Sequence, residues 1–244
     1  LTTSSAASDV YKRQAYNTHY LGFNANMLGN EMFLDSAEIR SSVVSLAKML
    51  GYTPSSVVAP VADISLTLTN ATGASVTMPA GTAFTTTVDG LAFNYVTNSD
   101  QTITPSDGVY AFSNLKVYEG TRVTFEYITD STNEEQRYIV NNANADLTTL
   151  SVLVQNSSSD TTSFTYKKAS SIAGVSATDK VYFCQEVENG KFEIYFGDGV
   201  TGFKPSDGNI VKLTYIVTNK SASNGASTFT PVSYTHLTLP TRLS

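Results

Sequence analysis

Glycine and aspartate are concentrated in one segment of the chain, residues 191–215, which reads KFEIYFGDGVTGFKPSDGNIVKLTY. Its two Asp-Gly pairs, Asp198-Gly199 and Asp207-Gly208, stand between runs of aromatic and β-branched residues. Loops of this composition can bind a metal ion, cradle a phosphate or hold a catalytic carboxylate. They can equally be tight turns, because Gly and Asp are the residues that turns require.

The spacing of these residues argues against each kind of chemistry. Asp198 and Asp207 lie nine residues apart without the ladder of oxygen ligands and closing Glu of a calcium loop. GDGVTG has neither a helix start nor a P-loop lysine, and no pair of carboxylates stands out from the other acids. His19 is the only histidine before the C-terminal segment, so a nucleophilic triad is not expected.

We therefore interpret the segment as turns between strands and predict no catalytic, cofactor-binding or metal-binding residue. The hairpin signal Asn-Gly just before it belongs to the same pattern. The residues of this turn signature are Asn189, Gly190, Gly197, Asp198, Gly199, Gly202, Asp207 and Gly208.

Composition and charge exclude several classes of partner. The 244 residues are 41% hydrophobic and 15% charged, with a formal net charge of −6 and no basic stripe. This balance argues against nucleic acid and against an anionic membrane surface, and no apolar run approaches the roughly 18 residues of a membrane span. The single cysteine, Cys184, excludes an internal disulfide and is expected to be a buried structural thiol in a strand.

The helical period appears once, over about residues 36–50. Ile39, Val43, Leu46, Ala47 and Leu50 follow one another at the spacing of a single helix face. A short amphipathic helix is not stable alone, so this face must pack on a sheet or on a partner chain.

The helix ends carry their own signals. Asp35 is the predicted N-cap, with Glu38 in capping-box position, and Gly51 followed by Pro54 predicts the C-terminus. The preceding residues 15–34 mix aromatics, Asn and Gly, and we predict an extended arm there with a short helical turn near residues 26–32.

From residue 62 the period changes to two. Alternating segments separated by glycine turns, at Asp89-Gly90 and Glu119-Gly120 among others, predict short antiparallel strands. Residues 180–186 and 191–196 are expected to form a hairpin around Asn189-Gly190, and the polar run 156–163 is a candidate boundary or long loop. The predicted fold is mainly β with a short N-terminal α-helical segment (α+β), built from antiparallel β-sandwich or meander domains.

The predicted organisation has five parts. DVYKRQ and VSYTHLTLP resemble translated sequencing-adapter ends, so residues 1–14 and 232–244 are expected to be non-native and the body to be an internal fragment of a longer protein. Between them we predict an arm with the amphipathic helix at 15–60, an antiparallel β domain at 61–155 and a β-meander domain at 156–231.

Three stretches, taken in order, resemble a known family. They are YLGFNANMLGNEMFLDSAEIRSSVVSLAKMLGYTPSSVVAPVA, VTMPAGTAF followed by DGLAFNYVT, and VYFCQEVENGKFEIYFGDGVTGFKPSDGNIVKLTYIVTNKSASNGA. Together they are similar to the inner-ring baseplate wedge proteins of T-even-type contractile-tailed phages, grouped with the baseplate J-like proteins. The resemblance covers about residues 15–227.

The resemblance implies a structural virion protein and no enzyme. Such a protein assembles in the host cytoplasm with other wedge subunits and copies of itself, and rearranges when the tail sheath contracts. It implies no cofactor and no small-molecule substrate. The candidate partner interface is the apolar face of the helix together with the leucine before it: Leu34, Ile39, Val43, Leu46 and Leu50. The alternative is that this face packs only against the rest of its own chain.

Two other functions remain open from the residues. A carbohydrate-binding β-sandwich of a tail fibre or adhesin would suit the tyrosines and acidic loops, although the chain has no Trp to form a flat platform. A calcium-dependent hydrolase centred on Asp198 is the third hypothesis.

Overall fold

The structure is a computed structural model that describes residues 2–52, 54–68, 73–133, 135–187 and 190–232. The chain divides into two compact units, Leu1–Pro54 and Ser55–Ser244. The first is helical and the second consists of β-strands and one short 3-10 helix.

The helical unit contains α1, Thr2–Asn30, and α2, Arg40–Met49. The prediction of an extended arm over residues 15–34 is wrong, because α1 runs through most of it. Tyr16, Tyr20, Phe23 and Met27 are spaced i, i+4, i+7 and i+11, so a helical period is present beneath the Asn and Gly content.

Helix α2 begins later than predicted, and the capping box at Asp35 and Glu38 is wrong. The N-cap is Ile39, without a side-chain cap. Residues 33–37 form turns, and the Glu31 carboxylate instead accepts the backbone N–H groups of Glu38, at 2.9 Å, and Ile39. These hydrogen bonds lower the pKa of Glu31, that from Glu38 first.

The C-terminus of α2 is as predicted. Gly51 has φ of +79° and donates its N–H to the Lys48 carbonyl, while the Tyr52 N–H reaches the Ala47 carbonyl at 3.0 Å. This is a Schellman motif, which glycine at the left-handed position makes possible.

A five-stranded antiparallel sheet with the order β1-β6-β4-β3-β14 forms the first part of the β unit. The Asp89-Gly90 turn joins β3 and β4 as predicted, with φ of +50° and +80°. Alternate residues of β1, among them Ile64 and Leu66, pack on the core of this sheet as the period of two predicts. The strands are β1 Val61–Leu68, β3 Ala83–Val88, β4 Leu91–Thr97, β6 Tyr110–Glu119 and β14 Thr230–Pro231; β2 Val76–Met78 pairs with β5 Gln101–Ile103 in a small separate sheet.

A seven-stranded sheet with the order β7-β13-β9-β10-β11-β12-β8 forms the second part. Its pairings are antiparallel except for β10 with β11, which is parallel. Its two edges approach each other, since the Tyr127 hydroxyl on β7 donates to the Ile139 carbonyl on β8 at 2.7 Å. The strands are β7 Thr121–Ile128, β8 Tyr138–Val140, β9 Ala145–Gln155, β10 Ser163–Lys168, β11 Val181–Glu186, β12 Phe192–Phe196 and β13 Ile210–Val217.

The chain passes from one sheet to the other at Glu119-Gly120. This position was predicted as a turn between two strands, but β6 and β7 lie in different sheets. The polar run 156–163 mainly connects β9 to β10, which are neighbours in one sheet, so it is a loop within that sheet. A small core cluster of Ala59, Val96 and Ile216 fills the place where the sheets meet.

The mainly β fold with N-terminal helices is therefore confirmed, with a longer helical segment than the sequence predicts. The chain returns to the first sheet through a 3-10 helix, Lys220–Ser223, and β14.

Candidate functional site

The loop at Asp198-Gly199, whose composition suggested a functional site, is a turn held by its own hydrogen bonds. The Asp198 carboxylate accepts the backbone N–H groups of Val200 and Thr201 at 2.9 and 2.8 Å. These hydrogen bonds, that from Thr201 first, lower the pKa of Asp198. Gly199, at φ +91°, donates its N–H to the Gly202 carbonyl. The carboxylate is engaged in shaping the turn.

Gly197 is required by a close approach of backbone. A Cβ at this position would lie 2.2 Å from the Thr201 carbonyl oxygen. Gly202, at φ +92°, donates to the Ser176 carbonyl and so ties the turn to the loop before β11. Backbone conformation explains these glycines.

The second Asp-Gly pair forms a separate turn. Asp207 and Gly208 both have positive φ, and the Asn209 N–H donates to the Ser206 carbonyl across them at 3.1 Å. The Asp207 carboxylate accepts the Ser131 N–H at 2.8 Å, which fixes the turn against the loop after β7. The two Asp-Gly turns therefore position loops at one end of the seven-stranded sheet.

The predicted hairpin is present. β11 and β12 pair from Tyr182 with Phe196 to Glu186 with Phe192, and Gly190 has φ of +73°. Asn189 lies outside the described residues. Phe192 and Ile194 are buried and Phe196 packs beside them, on the face that the alternation predicts.

The remaining acids do not converge on a metal ion. Within the described part of the chain, no group of three or more His, Cys, Asp or Glu side chains is placed to hold one. Glu193 pairs with Arg137, whose Nε and Nη2 donate to its two carboxylate oxygens at 2.6 and 2.7 Å.

An open cleft lies at the ends of β8 and β12, beside both Asp-Gly turns. Its polar lining is used by the protein itself. The Asp130 carboxylate accepts the Thr132 N–H and hydroxyl, and the Gln136 side chain donates to the Ile128 carbonyl and accepts the Asp130 N–H. The cleft thus presents satisfied loop groups.

Cys184 and His19, the other residues considered for chemistry, join no group of three or more His, Cys, Asp or Glu side chains among the described residues. Cys184 is half-buried, packs against the core of the seven-stranded sheet and is unbridged. Burial raises the pKa of its thiol to about 11, which keeps it protonated and unreactive at neutral pH. His19 is exposed on α1.

The helical unit carries many exposed apolar side chains. In the predicted interface, Leu34, Ile39 and Leu50 are 45%, 49% and 76% exposed, while Val43 and Leu46 are half-buried. Val44, which lies beside the predicted face, is the buried residue of α2.

A second apolar row lies along α1, and sequence reasoning missed it. Tyr16, Tyr20, Phe23 and Met27 are all exposed, and the rings of Tyr16 and Tyr20 stack at 6.3 Å. Their helical spacing was the signal that could have found them. None of the described helices is both long and apolar enough to cross a membrane.

Comparison with known proteins finds two similarities, both to bacteriophage baseplate wedge protein gp6. Residues 122–228 match the model of the third domain of bacteriophage baseplate wedge protein gp6. The match therefore starts where the chain enters the seven-stranded sheet. The chain is also 29% identical over 234 residues to the baseplate wedge protein gp6 of Enterobacteria phage T4, covering 88% of this chain. It spans about a third (34%) of the length of that relative.

Proposed function

Because residues 122–228 match the model of the third domain of bacteriophage baseplate wedge protein gp6, and most of the chain is similar to gp6 of phage T4, we propose that the chain is a gp6 homologue and a structural subunit of a contractile phage tail baseplate. It acts without catalysis, by assembly in the wedge and inner ring and by rearrangement when the sheath contracts. It resides in the virion and assembles in the host cytoplasm. The match to the gp6 third domain is the observation that carries this proposal.

The geometry agrees with an assembly role. The acidic loop that suggested chemistry is explained by turn hydrogen bonds, while large apolar side chains stand exposed along both helices. Exposed apolar rows of this kind mark surfaces that a partner covers.

We assign the contact to the apolar stripe, defined as Leu34, Ile39, Val43, Leu46 and Leu50. Its partners are other wedge subunits and further copies of the chain. A helix presenting apolar side chains at this spacing fits the groove of another helical element.

Ile39→Asn tests the stripe without destabilising the helix. Ile39 is the N-cap of α2 and is 49% exposed, and Asn is among the best N-cap residues. We expect an unchanged or slightly higher unfolding midpoint and a loss of co-purification with a second, differently tagged copy and with co-expressed wedge subunits. Loss of about tenfold in association corresponds to removal of one buried apolar side chain.

Leu46→Asp tests whether the half-buried Leu46 belongs to the interface or to the core. If it keeps the melting temperature and loses co-assembly, Leu46 belongs to the interface; if the chain simply unfolds, Leu46 belongs to the core. Leu91→Asn, at an exposed leucine of β4, is the matched control and should leave assembly intact. Normal assembly of both Ile39→Asn and Leu46→Asp would contradict the assigned stripe.

A further inference from the structure

Two carboxylates are completely buried where the two sheets meet. Asp146 on β9 and Glu119 at the end of β6 are both 0% exposed. Among the residues that the structure describes, neither is in an ion pair. Burying a carboxylate without a cation is costly unless hydrogen bonds satisfy its oxygens, so the donors around each one show what it holds.

Asp146 attaches the segment 55–60 to the seven-stranded sheet. Its Oδ2 accepts the Ala59 N–H at 2.9 Å, and its Oδ1 accepts the N–H and hydroxyl of Thr148 at 2.8 and 2.7 Å. A second bond runs beside it, since the Leu147 N–H donates to the Ser56 hydroxyl at 3.0 Å. Ala59 is buried, at 2% exposure.

A bulge in β9 interrupts its backbone pairing with β13 next to Asp146, so side chains make the hydrogen bonds at this point. The register between β13 and β9 shifts from Thr214 opposite Ser151 to Ile216 opposite Asp146, so residues 147–150 leave the ladder. The Thr149 hydroxyl takes over, accepting the Ile216 N–H at 3.0 Å and donating to the Asp146 carbonyl at 2.7 Å.

Glu119 joins the same segment to both sheets. Its carboxylate accepts the Thr218 hydroxyl at 2.6 Å and the N–H and side-chain amide of Asn219 at 2.9 and 2.7 Å. Its own N–H donates to the Pro60 carbonyl at 2.9 Å. The end of β6, the residues after β13 and the segment 55–60 therefore meet at one residue: the carboxylate of Glu119 holds Thr218 and Asn219, and its backbone N–H holds Pro60.

We propose that Asp146 and Glu119 form a junction lock, which fixes segment 55–60 and both sheets as one body. Segment 55–60 is the chain that follows the helical unit, so a load on it is delivered to both sheets together. The use of such a lock in baseplate rearrangement rests on the proposed function. Its existence does not, and it is tested on the chain alone.

Asp146→Asn in the 244-residue chain is the central test, read by hydrogen exchange of backbone amides. Both oxygens of Asp146 accept hydrogen bonds, and Asn replaces one of them by an NH2 group that faces a donor. We expect the Ala59 and Leu147 amides to exchange about tenfold faster or more, while the amides of β13 stay protected.

Glu119→Gln should have a smaller effect for a defined reason. The Asn219 side-chain amide can rotate so that its oxygen accepts from the new Gln NH2 group, while the remaining oxygen keeps the Thr218 and Asn219 donors. We expect exchange of segment 55–60 to rise by about threefold or less.

The control variants distinguish loss of the junction contacts from a general effect of removing an acid side chain. Asp198→Asn makes the same change in an exposed turn and should leave segment 55–60 unaffected. Ser56→Ala removes the hydroxyl that accepts the Leu147 N–H and donates to the Val57 carbonyl, without touching either carboxylate. It should speed exchange of segment 55–60, and it decides the matter if Asp146→Asn does not fold.

The proposal is overturned if the Ala59 amide of the unmodified chain exchanges at the rate of an exposed peptide. It is equally overturned if folded Asp146→Asn, or Ser56→Ala in its place, protects segment 55–60 as the unmodified chain does. These outcomes leave the assembly proposal untouched, because that proposal is read by co-purification.

Discussion

At position 120 the backbone has room for no side chain. Gly120 has φ of +123°, and a Cβ there would lie 2.1 Å from the Val217 carbonyl oxygen. Gly120→Ala adds both backbone strain and a clash with fixed backbone, so we expect it to lower the free energy of unfolding by about 3 kcal/mol. Denaturant titration of the 244-residue chain measures the change.

Gly90→Ala is the matched control at the same scale. Gly90 also has positive φ, at +80°, but a Cβ there meets open space. Only the left-handed conformation is then disfavoured, at about 1 kcal/mol. Equal losses in the free energy of unfolding for Gly120→Ala and Gly90→Ala would show that the close contact between position 120 and the Val217 carbonyl does not affect stability.

At the scale of the element, β13 is the strand on which the larger sheet depends. It pairs with β7 on one side and β9 on the other, and Leu213 is fully buried. Leu213→Ala should lower the free energy of unfolding by about 2–5 kcal/mol, because it leaves a cavity in a core that cannot fully collapse. Chemical denaturation followed by circular dichroism tests this.

Lys212→Ala, one position earlier on β13, provides the comparison. Lys212 pairs with Glu126 at 2.8 Å on a partly exposed face, and such pairs contribute about 0–1 kcal/mol. A loss comparable to that of Leu213→Ala would mean that strand pairing, and not core packing, limits stability here.

The elements also show where prediction succeeded. The spacing of the apolar stripe correctly predicted a helix at α2, and Gly51 correctly predicted where it ends. Asp35 was wrongly predicted as the N-cap, because the Glu31 carboxylate, four residues earlier in the chain, accepts the free N–H groups. The α1 row at Tyr16, Tyr20, Phe23 and Met27 was missed because Asn and Gly between them favour turns.

At the scale of the whole molecule, the β unit contains its own core. The three buried core clusters found among the described residues are built from residue 59 onward. We therefore expect residues 55–232 to fold without the helical unit and to melt within about 3 °C of the full chain. Differential scanning calorimetry of the two chains compares them; a broad transition or a far lower melting temperature in the shorter chain would contradict an independent core.

The sequence by itself determined the strands, the buried faces and most turns. Alternation at Phe192, Ile194, Val211 and Leu213 fixes which side of a strand is apolar, and glycine with aspartate fixes where the chain reverses. These are local properties, set by a few neighbouring residues. The resemblance to baseplate wedge proteins rested on the same local stretches.

Only the tertiary structure decided which sheet each strand joins. A period of two assigns a face but no partner, so Glu119-Gly120 read as an ordinary turn when it is the passage between sheets. The role of Asp146 was invisible for the same reason, because its donor at Ala59 lies 87 residues away in the chain. Long-range hydrogen bonds leave no period in the sequence, and here they determine how the sheets are joined.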